Sequence, residues 1–143
     1  MRPHVAGFAE LDPHTLYDLL RLRVDVFVVE QACAYPELDG RDTEPGTRHL
    51  WLADGGAPTA YLRVLSEPDG VARIGRVVVT PAARGTGAAG RLMAAALTEI
   101  GARETVLDAQ AHLVAFYERH GFTATGPEFL EDGIPHVPMT RPA

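Results

Sequence analysis

Apolar residues recur along this chain in two rhythms, and each change of rhythm marks a new element. Between residues 14 and 29, Leu16, Leu19, Leu20, Val24 and Phe27 recur at the three-to-four spacing of an amphipathic helix. Asp12-Pro13 precedes them, an N-cap residue followed by a proline suited to the first helical position. Residues 4–11 read as a strand. Residues 30–46 are polar and rich in turn formers, and a loop of that length is uncommon unless it has a task. Strands follow at about 48–53, 59–66 and 71–80. Gly55-Gly56 and Pro68-Asp69-Gly70 supply the turns of an antiparallel meander.

An alanine-rich helix then runs to about Ile100, and Gly101 suits its end. Residues 105–108 read as a strand, 111–120 as a helix stopped by Gly121, and 122–125 and 134–140 as closing strands. The predicted order is β-α-β-β-β-α-β-α-β-β in a single mixed sheet. That is an α/β fold in one domain over residues 1–143, without repeats or linkers.

Composition narrows the function. The chain has 143 residues, with 46% hydrophobic and 22% charged content and a formal net charge of −6. An acidic chain offers no basic stripe for phosphate backbones, which argues against nucleic acid as partner. No apolar run approaches membrane-spanning length, no signal-peptide core precedes residue 13, and Cys33 is the sole cysteine. A cytoplasmic protein without disulfides or membrane association is expected. The six histidines lack metal-ligand spacing, so no metal is predicted.

The chemistry concentrates in IGRVVVTPAARGTGAAGRLM, residues 74–93. Val77-Val78-Val79 is a buried strand, Thr80-Pro81 ends it, and Arg84-Gly85-Thr86-Gly87-Ala88-Ala89 opens a helix. Glycines let backbone N–H groups converge, and a helix N-terminus adds partial positive charge, which together suit a phosphate. Gly85, Gly87 and Gly90 spell G-x-G-x-x-G, but residues 80–84 separate them from the strand and too few residues follow Asp108 to finish a doubly wound sheet. With no lysine in the chain, a P-loop is excluded as well.

Read from Arg84, the turn is Arg-x-x-Gly-x-Ala, and downstream stands Tyr117-x-x-x-Gly121-Phe122. In these two motifs the chain resembles the GNAT superfamily of N-acetyltransferases. The narrower likeness is to its ElaA-like branch, carried by LRLRVDVFVVEQ at 20–31, YPELDGRD at 35–42, AQAHLVAFYERHGF at 109–122 and LEDGIPH at 130–136. Ala89 stands where glycine is commoner in the turn, and Gln110 where many relatives have asparagine.

The resemblance implies a fold whose central strands splay apart to admit acetyl-CoA, and an acetyl group passed to the amine of a small molecule or peptide by direct attack. It implies that Val77, Val78 and Val79 hold the pantetheine arm, with a backbone N–H of Val78 or Val79 polarising the thioester carbonyl. Arg84, Gly85, Thr86, Gly87, Ala88 and Ala89 would take the pyrophosphate, and Gln110 a cofactor-side hydrogen bond. Tyr117 would protonate the departing thiolate. For the base the candidates are Glu30, Asp39, Asp42, His49 and His136, of which Glu30 and His136 lead. Arg23, Asp39, Asp42 and His49 are candidates for gripping the acceptor. Arg21 is accounted for by helix pairing with Asp18 and Asp25, and Cys33 reads as a buried, inert thiol. Pairing into a homodimer is the oligomeric expectation. The alternative, of a different class, is a coenzyme A-binding module without catalysis.

Overall fold

The structure, a computed structural model, describes residues 2–143. Eight strands form one sheet: β1 (His4–Ala6), β2 (Arg48–Asp54), β3 (Ala57–Ser66), β4 (Ala72–Val79), β5 (Thr105–Gln110), β6 (Thr123–Ala124), β7 (Phe129–Glu131) and β8 (Ile134–Arg141). They lie in the order β1-β2-β3-β4-β5-β8-β6, with β7 hairpinned onto β8. Three α-helices complete it: α1 (Pro13–Val24), α2 (Ala88–Ile100) and α3 (Val114–Glu118). No helix among the described residues is long and apolar enough to cross a membrane.

The predicted meander is present, β2, β3 and β4 pairing antiparallel in sequence order. α1 starts where Asp12 and Pro13 direct it: the Asp12 carboxylate accepts from the Thr15 N–H at 2.9 Å, satisfying an otherwise orphaned donor. Its last turn widens into a π-helical stretch, Asp25–Glu30, with the Gln31 N–H reaching the Val26 carbonyl. The wider turn carries Phe27 and Glu30 to the cleft described below.

Three local expectations are corrected. The first strand ends at Ala6, because Gly7 opens a 3-10 turn in which the Glu10 carboxylate accepts from its N–H at 2.8 Å. The helix expected over 111–120 is a 3-10 turn, Ala111–Leu113, running into the short α3. β7 was not anticipated, since three exposed residues carry no alternating pattern for a reader to find.

Two apolar clusters cover the two faces of the sheet. Leu92, Met93, Ala96 and Ile100 of α2 pack on Leu50, Leu62 and Ile74, and the same cluster takes in Tyr117, Phe122 and Met139. On the other face Leu19, Leu22 and Val26 pack on Tyr61 and Val78. Each fully buried leucine contributes about 1.5–3 kcal/mol by leaving water, so the sheet is clamped from both sides and forms a stiff base for the cleft.

Candidate active site

β4 and β5 are the sole parallel pair among the described residues, and they touch at only two positions, Ala72 opposite Thr105 and Arg73 opposite Val106. Beyond these the strands part. β5 is held along its whole length by β8, from Thr105–Arg141 to Gln110–His136, while β4 stays with β3. A bulge sharpens the divergence: Arg76 and Val77 together face Leu62, and Arg76 adopts a left-handed φ of 53°. The resulting cleft has a volume of about 930 Å³ and is walled by Ile74 to Val79 on one side and Leu107, Asp108 and Gln110 on the other.

The open edge of β4 is a row of backbone groups awaiting a partner. The Thr80 N–H donates to the Thr59 carbonyl at 2.9 Å, toward β3. Since successive residues of a strand alternate their backbone polar groups between neighbours, Val79 presents its N–H and C=O to the cleft, and Val78 presents its own to β3. Arg84 Nε donates to the Val79 carbonyl at 3.2 Å, which agrees with this direction.

The glycine turn lies at the end of that edge. Gly85 and Gly87 have φ of 79° and 83°, conformations that L side chains resist. Gly87 caps α2 without any side chain, so the first N–H groups of this 13-residue helix remain unpartnered and aimed outward. Thr86 Oγ1 ties the turn down by donating to the Ala83 carbonyl at 2.5 Å. The Arg84 guanidinium points away from the turn and forms a two-pronged pair with Glu30, 2.8 Å on each side. That pair holds the Glu30 carboxyl below its usual range, so Glu30 is a poor base while Arg84 is attached.

Tyr117 reaches the cleft from α3. It is 5% exposed, edge-on to Phe116 and Phe122, and burial pushes its phenol up to about 12. It therefore keeps its proton across the physiological range. His136 faces the cleft from β8 and stacks on Phe129. Its Nδ1 lies 2.7 Å from the Ile134 carbonyl, which can only accept, so Nδ1 carries a hydrogen; Nε2, the lone-pair nitrogen of the neutral ring, stands 3.8 Å from the Glu131 carboxylate. Gln110 accepts from Gln31 Nε2 at 3.4 Å across the cleft mouth.

Other sequence-based candidates are placed differently. Arg23, expected to grip an acceptor, is buried and donates to Glu37 at 2.6 Å and to Asp42 at 2.8 and 3.2 Å. Asp42 also receives Arg63 at 3.1 Å. His49 is enclosed between the Tyr61 hydroxyl at 2.6 Å and the Asp42 carbonyl at 3.0 Å, and burial lowers its pKa. With these atoms already partnered and shielded, Arg23, Asp42 and His49 pin the 31–46 loop to the sheet and do not reach the cleft. Asp39 does border it, but its two oxygens are taken by Arg63 at 2.9 and 2.6 Å. Cys33 is half-buried at the cleft wall, not fully enclosed as expected.

Sequence reading overlooked Tyr35, Glu37, Arg63 and Arg76, which complete this ionic network; Tyr35 hydrogen-bonds Glu37, and Arg76 reaches Glu37 at 3.0 Å. One signal was available. Arg63 sits inside the apolar run Tyr61–Leu65, where a charge needs a buried partner.

A family model described as acetyltransferase (GNAT) domain matches residues 16–142. The chain belongs to the GNAT family. This GNAT domain is 56% identical over 137 residues to a UPF0039 protein of Mycobacterium tuberculosis, covering 93% of this chain and 88% of the other. It is 40% identical over 139 residues to the protein ElaA of Escherichia coli, covering 93% and 91%. The crystal structure of E. coli ElaA superposes with a TM-score of 0.93 over 98% of both chains at 37% identity. An acyl-CoA N-acyltransferase from Pseudomonas aeruginosa gives 0.93 over 99% of both at 43% identity. The splayed sheet is thus the GNAT acyltransferase fold.

Proposed function

We propose that this GNAT protein transfers an acetyl group from acetyl-CoA to an amine of a small molecule or peptide, by direct attack within a ternary complex. The observation that carries the reading is the continuity of three features in one cleft: the unpaired edge of β4, the uncapped N-terminus of α2 at its end, and the Tyr117 phenol within it. Residues and ligand fit one another. A diphosphate suits the N–H groups after Gly87, and a pantetheine arm carries amides able to pair with the β4 edge.

Acetyl-CoA supplies the activated thioester. The chain's own groups do the rest. The Val79 N–H and its neighbours on the edge orient the arm and polarise the carbonyl where negative charge develops. His136 Nε2 removes a proton from the incoming amine, and the Tyr117 phenol hands its proton to the sulfur as the C–S bond breaks. The apolar lining of Phe27, Val77, Leu107 and Phe116 excludes water that would hydrolyse the thioester. Following free thiol and N-acetylated product across an amine panel tests the reading. Coenzyme A binding with no turnover of any amine would favour the non-catalytic module.

A further inference from the structure

Asp108 is the sole carboxylate on the two splayed strands, since β4 (ARIGRVVV) carries no acid and β5 (TVLDAQ) carries this one. Leu107 and Ala109 turn into the α2-side core, so Asp108 points to the opposite face. By the same alternation Arg73 lies on that face, between buried Ala72 and Ile74. Both side chains are about one-third exposed, at 36% for Arg73 and 35% for Asp108, and both line the cleft.

The pair is loose. Arg73 Nη1 stands 3.6 Å from Asp108 Oδ2, and its Nε stands 3.6 Å from Glu67, longer than a hydrogen bond on each side. This is unlike the surrounding network, where Glu37, Asp39, Asp42 and Glu67 each hold an arginine at 2.5 to 2.8 Å. The gap has room as well. Gly75 lies between Arg73 and the bulge, and a Cβ built on it meets nothing within 4 Å. Nearby, opposite Gly75 on β3, Arg63 Nε is the one buried side-chain polar atom without a partner among the described residues. Asp108 and Arg73 thus border the same space without being fully used, while the unpartnered Arg63 Nε lies buried behind it.

We infer that Asp108 and Arg73 form the acceptor subsite, and that the acceptor is a free α-amino acid or a similar zwitterion; this rests on the acetyltransferase reading above. Asp108 receives the ammonium and Arg73 the carboxylate. The two charges of the subsite stand 3.6 Å apart. An α-amino acid holds its nitrogen and carboxylate oxygens about 3 Å apart by standard bond lengths. A polyamine would instead bring a second cation against Arg73. A peptide N-terminus lacks the neighbouring carboxylate and would leave Arg73 unanswered, with desolvated donors unpaired.

Register places the base within reach. Asp108 is opposite Pro138 and Gln110 opposite His136, so Asp108 and His136 are diagonal neighbours on one face, with Cα atoms about 7–8 Å apart. An ammonium seated on Asp108 gives one proton to His136 Nε2, which passes it to solvent. The freed lone pair forms the C–N bond as the C–S bond breaks, and sulfur takes the Tyr117 proton. The second N–H proton then restores Tyr117 through water, so one acid equivalent is released per turnover.

The test compares free α-amino acids with their α-amides and decarboxylated amines, by kinetics and by calorimetric titration into the coenzyme A-saturated protein. At least one amino acid should show kcat/KM tenfold or more above both counterparts, and should bind where they do not. Arg73→Gln should move that ratio toward one, and Asp108→Asn should lower amino-acid turnover at least a hundredfold and abolish its binding heat. A melting-temperature rise with coenzyme A confirms that each variant is folded. Amides or amines used as well as the acids would overturn the subsite while leaving the acetyltransferase intact. Coenzyme A binding without turnover of any amine overturns both.

Discussion

Glu30 and Arg84 meet in a two-pronged ion pair, 2.8 Å at each contact, that bridges the end of the first helix and the start of the glycine turn. The pair is some 40% exposed and screened by solvent, so its own contribution to folding is small. Its consequence lies in what Arg84 is free to hold. A diphosphate arriving at the turn competes with Glu30 for the same guanidinium. Glu30→Gln should therefore tighten coenzyme A several-fold at low salt, and Arg84→Gln should weaken it by about tenfold, the share of one charge-assisted contact. Calorimetric titration checks both; weaker binding by Glu30→Gln would show that Glu30 instead presents Arg84 to the ligand.

Tyr117→Phe should leave the melting temperature and coenzyme A affinity near the parent values, because the ring keeps its packing on Phe116 and Phe122. Turnover should fall by about 10²–10⁴-fold, the range of a lost general acid. Equal rates for the variant and parent would remove Tyr117 from the chemistry.

Arg21 and Arg23 are two positions apart and should differ sharply in what their loss costs. Arg21 makes an exposed pair with Asp25 at 3.8 Å, and its replacement by alanine should cost no more than about 0.5 kcal/mol. Arg23→Met leaves Glu37 and Asp42 buried beside less positive charge, and should cost about 3–5 kcal/mol. Urea unfolding of the two variants measures the contrast.

Acid should loosen the same network in two stages. Burial depresses His49, so the unfolded chain binds its proton first, and stability falls as pH drops below about 6.5, the ordinary histidine value. Hydrogen bonds from Arg63 and Arg23 lower Asp39 and Asp42, adding a second loss below about pH 4 as these carboxylates are forced to protonate. Stability measured from pH 8 to 3 should show both slopes, and His49→Gln should reduce the first, leaving the share of His120, whose pKa burial also lowers. A first slope unchanged by the substitution would assign it elsewhere.

Local signals were legible where backbone chemistry dictates them. Asp12-Pro13, the meander turns and the glycines of 85–87 each act within a few residues, and each produced the element that its chemistry demands. The splay and the roles of distant side chains were not legible in that way. Arg23 looked available because its burial depends on Glu37, fourteen residues on, and on how the 31–46 loop lies over the sheet. Asp108 entered the sequence reading only where a dinucleotide fold was rejected, and only the strand register sets it beside Arg73 and diagonal to His136. Spacing in sequence shows what can form a turn or a helix face, whereas a site built across four strands depends on register.

The most direct measurement is thiol release from acetyl-CoA with a panel of amines, with product mass read alongside. The account predicts thiol release that depends on the amine, an N-acetylated product formed in equal amount, and loss of both in Tyr117→Phe. Stoichiometric coenzyme A binding with no thiol release on any amine would contradict it.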